Sequence, residues 1–321
     1  MEQVRLALVG AGGMANAVHY PSLAEMPDVR LAALCDLVPE KREDTARHFG
    51  IPKVYADYRE MVEKEDPDGV YILMPPHHLY DVAVFCLKLG KHVFVEKPPA
   101  VTTYQSRALA DHASRHACLT MVGFNRRFIP LMRRVRDLQR EAGPLNLAIA
   151  TFYKAQPNVL PPYYDGAIDV LHCDAIHAVD ALRWMGDDVA SVASHVGRSS
   201  NSLANRFLAV VEFERGGTGV LLTNWDSGTR VHTFEMHAPG FVAFINPDPG
   251  GCATVYRGGR EPLVITSEEA AGSEERHKIY GFYGESRYFI DCLKRGEQPE
   301  CNFDDAAESM QLADDILLST I

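Results

Sequence analysis

The chain lacks the features of a membrane protein or a nucleic-acid-binding protein. Within its 321 residues, no apolar run approaches the roughly 18 residues that a membrane-spanning helix requires. The formal net charge of −11 disfavours a nucleic acid or an anionic membrane surface as partner. The first apolar strand starts a few residues after Met1, which leaves no room for a signal peptide. We therefore expect a cytoplasmic protein with no membrane association.

Closely spaced cysteines are also missing. The seven cysteines form no C-x-x-C pair, whereas structural zinc sites are built from such pairs. We expect reduced thiols that are mostly buried as small apolar groups, and no metal.

Two patterns of secondary structure follow each other along the chain. Up to residue 122, short and continuously apolar runs alternate with helical patterns, which is typical of a doubly wound parallel sheet with both faces covered. Over residues 123–321, strand follows strand with turns such as Gly216-Gly217, which indicates a large open, mostly antiparallel sheet in an α+β domain. We thus predict an α/β protein with two domains, 1–122 and 123–321.

Two strands of the second domain are apolar on both faces, from Phe207 to Phe213 and from Val220 to Trp225. The helices of the domain itself can cover only one face of the sheet. A second subunit is the economical cover for the other face, so we predict a homodimer or a homotetramer.

A glycine-rich loop follows the first apolar strand. Residues 10–15 read Gly-Ala-Gly-Gly-Met-Ala, which has the G-x-G-x-x-A spacing of dinucleotide-binding loops. In such a loop Gly10 allows a tight turn, Gly12 lets the backbone approach a pyrophosphate, and Ala15 permits close helix packing. The N-terminus of the following helix attracts the phosphate charge. We predict a Rossmann domain whose cofactor also lies beside Gly13 and Met14.

The second strand ends in Asp36, at about the ~20-residue distance at which an acid binds the adenosine ribose. Asp36 would repel a 2′-phosphate, and Leu37 follows where a phosphate-binding site favours Arg or Ser. NAD is therefore favoured over NADP. Lys41 and Arg42 on the next helix could reach a phosphate, which keeps NADP open.

The run from Gly90 to Pro99 ends a buried strand with a carboxylate and a lysine. Pro98 stops the strand because it has no N–H to extend the ladder. Ligands of open α/β sheets bind outside the carboxyl ends of the strands, so Lys97 should project into the cofactor crevice. Glu96 is expected to contact the nicotinamide ribose or to pair with Lys97.

A predicted helix near residue 176 places Asp174 and His177 three residues apart on one face. A carboxylate beside an imidazole fixes its orientation and raises its basicity, as a proton shuttle requires. A buried histidine satisfied by a neighbouring acid is an equally open interpretation. Cys173 shares the face, but no fourth metal ligand is evident. His172 lies off the face and has no predicted role.

Together these segments resemble the glucose-fructose oxidoreductase / inositol dehydrogenase family, called Gfo/Idh/MocA, over nearly the whole chain. The resemblance rests most specifically on the Glu-Lys-Pro run at 96–98. It implies that Lys97 and His177 surround the reacting carbon beside the nicotinamide, and that the turn at Pro75 contacts the cofactor. Where the family usually has an Asp, four residues before the histidine, this chain has Cys173.

We therefore predict an NAD(P)-dependent oxidoreductase that transfers hydride between the nicotinamide and a secondary alcohol or ketone. Lys97 would stabilise the developing alkoxide, His177 would take the proton, and Asp174 would orient His177. A sugar, inositol or related polyol matches the many polar groups expected near the interdomain cleft. The predicted substrate contacts besides His177 are Asn125, Arg126, Lys154, Tyr163 and Tyr164.

Two other functions stay open. A redox-cycling glycosidase or lyase would hold NAD tightly and regenerate it in each turnover. A non-catalytic sensor of the same fold would bind the nucleotide to control a partner, although a sensor needs neither Lys97 nor His177.

Overall fold

The computed structural model describes residues 3–156, 163–198 and 203–319. The chain divides into two compact units, Met1–Phe124 with Phe282–Ala307 and Asn125–Gly281 with Glu308–Ile321. No helix in the described ranges is long and apolar enough to cross a membrane. The seven cysteines, all within the described ranges, are thiols rather than disulfides, and all except Cys252 are buried, as predicted.

The first unit contains a six-stranded parallel sheet in the order β3-β2-β1-β4-β5-β6. Its strands are β1 (Val4–Val9), β2 (Val29–Cys35), β3 (Val54–Tyr55), β4 (Gly69–Ile72), β5 (His92–Glu96) and β6 (Thr120–Gly123). Its helices before residue 124 are α1 (Tyr20–Ala24), α2 (Pro39–Phe49), α3 (Tyr58–Glu65), α4 (Pro76–Lys88) and α5 (Thr103–Arg115). A π-helical turn, Ala15–His19, leads directly into α1. The doubly wound parallel sheet is confirmed.

The second unit is built on an eight-stranded sheet in the order β14-β13-β12-β11-β7-β10-β9-β8. Its strands are β7 (Leu147–Ala155), β8 (Val189–Gly197), β9 (Arg206–Phe213), β10 (Thr218–Asn224), β11 (Asp226–Ala238), β12 (Phe241–Ile245), β13 (Cys252–Arg257) and β14 (Leu263–Thr266). Among the described strands of this sheet, β7 and β10 are the one parallel pair, so the predicted mostly antiparallel sheet is confirmed. The helices are α6 (Pro130–Ala142), α7 (Ile176–Gly186), α8 (Ser267–Ala271) and α9 (Arg276–Ile279).

One face of this sheet is covered by helices of the same unit. α6 packs on β11, β12 and β13, and α7 packs on β7 and β10. On β9 the inward residues Phe207 and Val211 are buried, whereas the outward residues Leu208 and Val210 are 37% and 46% exposed. The strand is thus apolar on both faces, and within the single chain its outer face meets solvent.

Two C-terminal helices complete the chain, α10 (Phe282–Arg295) and α11 (Phe303–Leu318). The predicted second domain, 123–321, includes the residues of both helices, but α10 packs with the first unit. Phe289 on α10 lies 5.8 Å from the ring of Tyr71 and 5.9 Å from that of Phe94, centroid to centroid. Because an amphipathic helix can bury its apolar face against any apolar surface, its position in the sequence does not specify which unit it joins.

Candidate functional site

The glycine loop of the first unit leaves its backbone open to a ligand. Gly10 has a φ of +108°, and a Cβ there would lie 2.3 Å from the carbonyl oxygen of Leu73, so only glycine fits. At Gly12 and Gly13, in contrast, an added Cβ would meet nothing within 4 Å. This open backbone at the start of a helical segment is the surface that a pyrophosphate requires. The loop therefore fits a dinucleotide.

Asp36 is held against this loop by backbone hydrogen bonds. Its Oδ2 accepts from the Ala11 N–H at 2.7 Å and its Oδ1 from the Val38 N–H at 2.8 Å. Each carboxylate oxygen keeps a lone pair for a ribose hydroxyl. Arg42, the alternative phosphate contact, donates to the backbone carbonyl of Asp36 at 3.3 Å.

The predicted cofactor residues follow the carboxyl ends of adjacent strands. The glycine loop follows β1, Asp36 follows β2, and Lys97 follows β5. Pro75 lies between β4 and α4, at the N-cap position of the helix. In the sheet order β2-β1-β4-β5 all four strands are parallel neighbours. The sheet thus brings these residues to one edge of the first unit.

Glu96 has a partner that the sequence analysis missed. His19 is fully buried at the end of the π-helical turn, and its Nε2 lies 2.6 Å from Oε1 of Glu96. Oε2 of Glu96 accepts from the backbone N–H of Lys97 at 3.0 Å. Burial alone would raise the pKa of Glu96, but the hydrogen bond from His19 and the nearby charges lower it. In the sequence, the available signal for this contact was His19 itself, a polar residue on the face of the first helical segment that becomes buried.

The second unit gathers polar side chains around Asp174. Tyr163 donates a hydrogen bond to Oδ2 of Asp174 at 2.7 Å, and Lys154 forms an ion pair with the same oxygen. The indole Nε1 of Trp225 donates to the Tyr163 hydroxyl at 3.4 Å. Burial, and then the charge of Asp174, raise the pKa of Tyr163. Asp174 thus joins two predicted substrate contacts, Lys154 and Tyr163, a role that its spacing from His177 did not reveal.

His177 lies in the first turn of α7 and is 8% exposed. The preceding π-helical turn, Leu171–Ala175, carries Asp174. π-helical turns are rare and occur frequently at functional sites.

Tyr164, another predicted contact, is 43% exposed and has a φ of +56°.

His172, which had no predicted role, bridges two carboxylates. Its Nδ1 lies 2.7 Å from Asp169 and its Nε2 3.1 Å from Asp314 on α11. Burial opposes the imidazolium, but these two carboxylates raise the pKa of His172 overall. The side chain therefore ties α11 to the segment before α7.

Asn125 and Arg126 lie in a buried 3₁₀ turn, Asn125–Phe128. The Asn125 amide donates to the carbonyl of Tyr280 at 2.8 Å, and Nη1 of Arg126 donates to Oδ1 of Asn125 at 2.9 Å. Both predicted contacts are therefore rigidly held within the second unit.

Comparisons with known proteins agree with this description. Residues 4–124 match the Gfo/Idh/MocA family, described as an oxidoreductase family with an NAD-binding Rossmann fold. D-glucoside 3-dehydrogenase of Escherichia coli (strain K12) is 31% identical over 302 residues, 85% of this chain and 84% of that protein. The scyllo-inositol 2-dehydrogenase (NAD(+)) of Bacillus subtilis (strain 168) is 27% identical over 97% of this chain and 92% of its own.

Solved structures show the same fold. A dehydrogenase from Chromobacterium violaceum superposes with a TM-score of 0.89 at 22% identity, covering 100% of this chain and 96% of that one. Levoglucosan dehydrogenase in complex with NADH and levoglucosan superposes with a TM-score of 0.87 at 20% identity, covering 99% and 97%.

Proposed function

The chain belongs to the Gfo/Idh/MocA family of NAD-binding oxidoreductases, and we propose that it transfers hydride between NAD and a sugar, inositol or related polyol. The reacting group is a secondary alcohol in one direction and a ketone in the other. The names of the similar proteins, a glucoside dehydrogenase and an inositol dehydrogenase, support this class of substrate. We further propose that residues 1–122 bind the cofactor, while the remainder binds substrate and forms the oligomer.

The observation that carries the proposal is the polar cluster of the second unit. Lys154, Tyr163 and Asp174 are joined by hydrogen bonds and offer both donors and acceptors. The Lys154 ammonium also lies 5.2 Å from the centroid of the Phe152 ring. A hydroxyl-rich ligand needs many donors and acceptors at fixed positions, whereas an apolar ketone does not.

The chemistry divides between two groups of the chain. Bound NAD supplies the hydride acceptor for alcohol oxidation. Lys97, as an ammonium ion, lowers the pKa of the bound hydroxyl and stabilises the developing alkoxide. His177 takes the hydroxyl proton and returns it when a ketone is reduced.

Two positioning residues support these groups. Asp174 precedes His177 by three residues on one continuous helical run and orients its imidazole. Glu96 fixes the backbone of Lys97 through its Oε2, and His19 holds Glu96 in turn. The remaining substrate contacts in this proposal are Asn125, Arg126, Lys154, Tyr163 and Tyr164.

The functional test is a screen of sugars and inositols with NAD and NADP, followed by the near-ultraviolet absorbance of the reduced cofactor. We expect net cofactor reduction with at least one polyol and a preference for NAD. Product formation without net reduction, by a chain that keeps its NAD on dilution, would instead identify a redox-cycling lyase or glycosidase. NAD binding without turnover of any substrate would contradict the proposed function.

We also propose that the outer face of the eight-stranded sheet forms a homodimer, alone or within a tetramer. Leu208, Val210 and Phe244 on this face are 37%, 46% and 47% exposed in the single chain. Obligate subunit interfaces are typically built from apolar surfaces of this kind. Light scattering at micromolar concentration should find no appreciable monomer, and Val210→Asp should shift the population towards monomer. A monodisperse wild-type monomer would contradict this proposal.

A further inference from the structure

Two neighbouring arginines of the second unit have opposite surroundings. Arg127 forms a buried bidentate ion pair with Asp180, with distances of 2.9 and 2.5 Å. Arg126 is also buried, at 9% exposure, but its one hydrogen-bond acceptor is the neutral amide oxygen of Asn125. Among the described residues of this unit, no carboxylate lies within 4.0 Å of the Arg126 guanidinium, and its Nε is buried without a hydrogen-bond partner.

The Arg126 guanidinium is fixed in place. Asn125 links it to the backbone of Tyr280, and the Tyr280 ring lies 5.6 Å below the guanidinium carbon. Gly281 has a φ of +82°, and a Cβ there would lie 2.5 Å from the carbonyl oxygen of Asn125. Glycine is therefore needed for the two segments to approach so closely. A preorganised donor loses little entropy when it binds a ligand.

The charges around Arg126 are otherwise paired. Lys154 is matched by Asp174 and Arg230 by Asp248, so the positive charge of Arg126 is the surplus. Burial, and then the charge of Arg230, lower the pKa of Arg126 to about 10. A buried cation without a counterion is costly, and this cost is relieved when an anion binds.

His232 is a second buried polar group that feels the same cations and has a ring nitrogen without a hydrogen-bond partner. It is 2% exposed, stacks on Phe152 with ring centroids 4.1 Å apart, and its buried Nε2 has no hydrogen-bond partner. Burial, followed by the charges of Arg126, Arg230 and Lys154, lowers the pKa of His232 well below its usual value. Three cations thus act on one neutral imidazole whose outer nitrogen has no partner.

We propose that the substrate carries one carboxylate, which Arg126 binds, so that the substrate is a sugar acid rather than a neutral sugar or polyol. The inference rests on the proposed function and specifies the substrate class of the same site. A carboxylate contributes one negative charge, which equals the surplus positive charge. Its planar geometry also suits two parallel N–H donors of a guanidinium. A phosphate would bring nearly two negative charges and leave the cluster negative.

The test compares substrates that differ in a single group. With NAD saturating, kcat/KM is measured for hexoses, the matching hexuronates and hexonates, and the hexose 6-phosphates, in the gluco, galacto and manno configurations. We expect the best acid to exceed its uncharged counterpart by at least about tenfold, because a charge-assisted hydrogen bond is stronger than a neutral one. Thermal-shift titration of the NAD-bound chain with the same compounds provides a readout that does not need turnover.

Variants then assign the effect to one side chain. Arg126→Gln should lower kcat/KM for the acid by roughly 10- to 100-fold and for the hexose by less, and Arg126→Lys should lie between this variant and wild type. Arg276→Gln is the matched control, because Arg276 lies 5.5 Å from the same Tyr280 ring but is exposed. It should leave both substrates within about twofold. If Arg126→Gln does not fold, the proposal is tested by the preference of wild type for acids over hexoses and by the change of that preference in Arg126→Lys.

The outcomes separate the two proposals. Turnover of neutral polyols without preference for the acid would overturn the proposal that the substrate carries a carboxylate. An equal loss of kcat/KM for acid and neutral substrate in Arg126→Gln would overturn it as well. Neither result would contradict the proposed polyol oxidoreductase function. Preference for the phosphate would also overturn the carboxylate. Absence of NAD reduction with every compound would overturn the proposed function, while stabilisation of the NAD-bound chain by acids alone would still support an acid ligand.

Discussion

The two units build their candidate sites in different ways. In the first unit the glycine loop, Asp36 and Lys97 all follow the carboxyl ends of strands of one parallel sheet, so one sheet edge collects them. In the second unit Arg126 comes from a 3₁₀ turn, Lys154 from β7 and Asp174 from a π-helical turn. In an open parallel sheet, ligands bind at the carboxyl ends of the strands, so the place of the site follows from the sheet itself. No comparable rule predicts where side chains from unrelated elements will meet.

The largest expected effect concerns one residue from each unit. Lys97→Ala and His177→Ala should each lower kcat by roughly 10²- to 10⁴-fold, because general acid–base contributions have that size. The affinity for NAD should stay within a few-fold, since neither residue carries the pyrophosphate. Steady-state kinetics and NAD titration of the folded variants measure both quantities.

Two milder variants complete this comparison. Asp174→Asn should cost less than His177→Ala, because it misorients the imidazole without removing it, and Cys173→Ser should keep activity. A folded His177→Ala enzyme with near-normal kcat would show that the histidine is structural, and would leave Lys97 as the one remaining proton-handling residue of the proposal.

A pair of glycine substitutions separates folding from binding within the first unit. Gly10→Ala forces a Cβ to 2.3 Å from the Leu73 carbonyl oxygen at a φ of +108°, so we expect the free energy of unfolding to fall by about 2–4 kcal/mol. Gly12→Ala meets nothing within 4 Å and should keep its stability, while NAD affinity falls by about tenfold or more, a cost of about 1.4 kcal/mol. Chemical denaturation and NAD titration measure the two effects, and equal NAD affinity of Gly12→Ala and wild type would place the cofactor elsewhere.

Cofactor choice tests the role of Asp36. Wild type should prefer NAD, and Asp36→Ala should narrow the ratio of kcat/KM for NAD to that for NADP by roughly 10-fold or more, because a charge-assisted contact is lost and a repulsion is removed. Leu37→Ala is the neighbouring control, because Leu37 is 83% exposed and uncharged. A wild-type preference for NADP would contradict the role of Asp36.

The smallest effect is a pH dependence in the second unit. The folded pKa of His172 is raised by Asp169 and Asp314 against the opposing effect of burial. The contribution of protonated His172 to the free energy of unfolding is therefore fully present below about pH 6.5, the ordinary pKa of histidine. It is lost as the pH rises through the higher pKa of His172 in the folded state. The pKa of Asp169 is lowered, so the contribution of its ionised carboxylate to stability is present above about pH 4. That contribution is lost as the pH falls through the pKa of Asp169 in the folded state.

Thermal unfolding of wild type and His172→Gln measures this effect. The difference in Tm should be largest near pH 6 and smaller near pH 9, and should correspond to about 1 kcal/mol or less because both carboxylates are partly exposed. His195→Gln, at an exposed position of β8, is the control for losing an imidazole. A difference in Tm that grows with pH would contradict the assigned sign.

Local patterns located most elements but not their partners. A glycine after an apolar helical run is typical of the position beyond a helix end, yet α7 includes Gly186, and Asp187 takes the positive φ of 83°. A Cβ at Gly186 would lie 2.1 Å from the Phe213 ring, so the glycine serves the packing of α7 against β9. Likewise, the place of α10 in the chain did not indicate that its Phe289 contacts Phe94 and Tyr71.

The sequence by itself determined the parallel sheet, the glycine loop, Asp36 and the lysine at the end of β5, because apolar period and motif spacing are local properties of the chain. Only the tertiary structure decided that His19 holds Glu96, that Asp174 holds Lys154 and Tyr163, and that Arg126 is buried without a carboxylate while Arg127 beside it has one. Adjacent arginines are chemically identical in the sequence. Their difference depends on which distant side chains the fold brings within hydrogen-bond distance, and no local rule specifies such contacts.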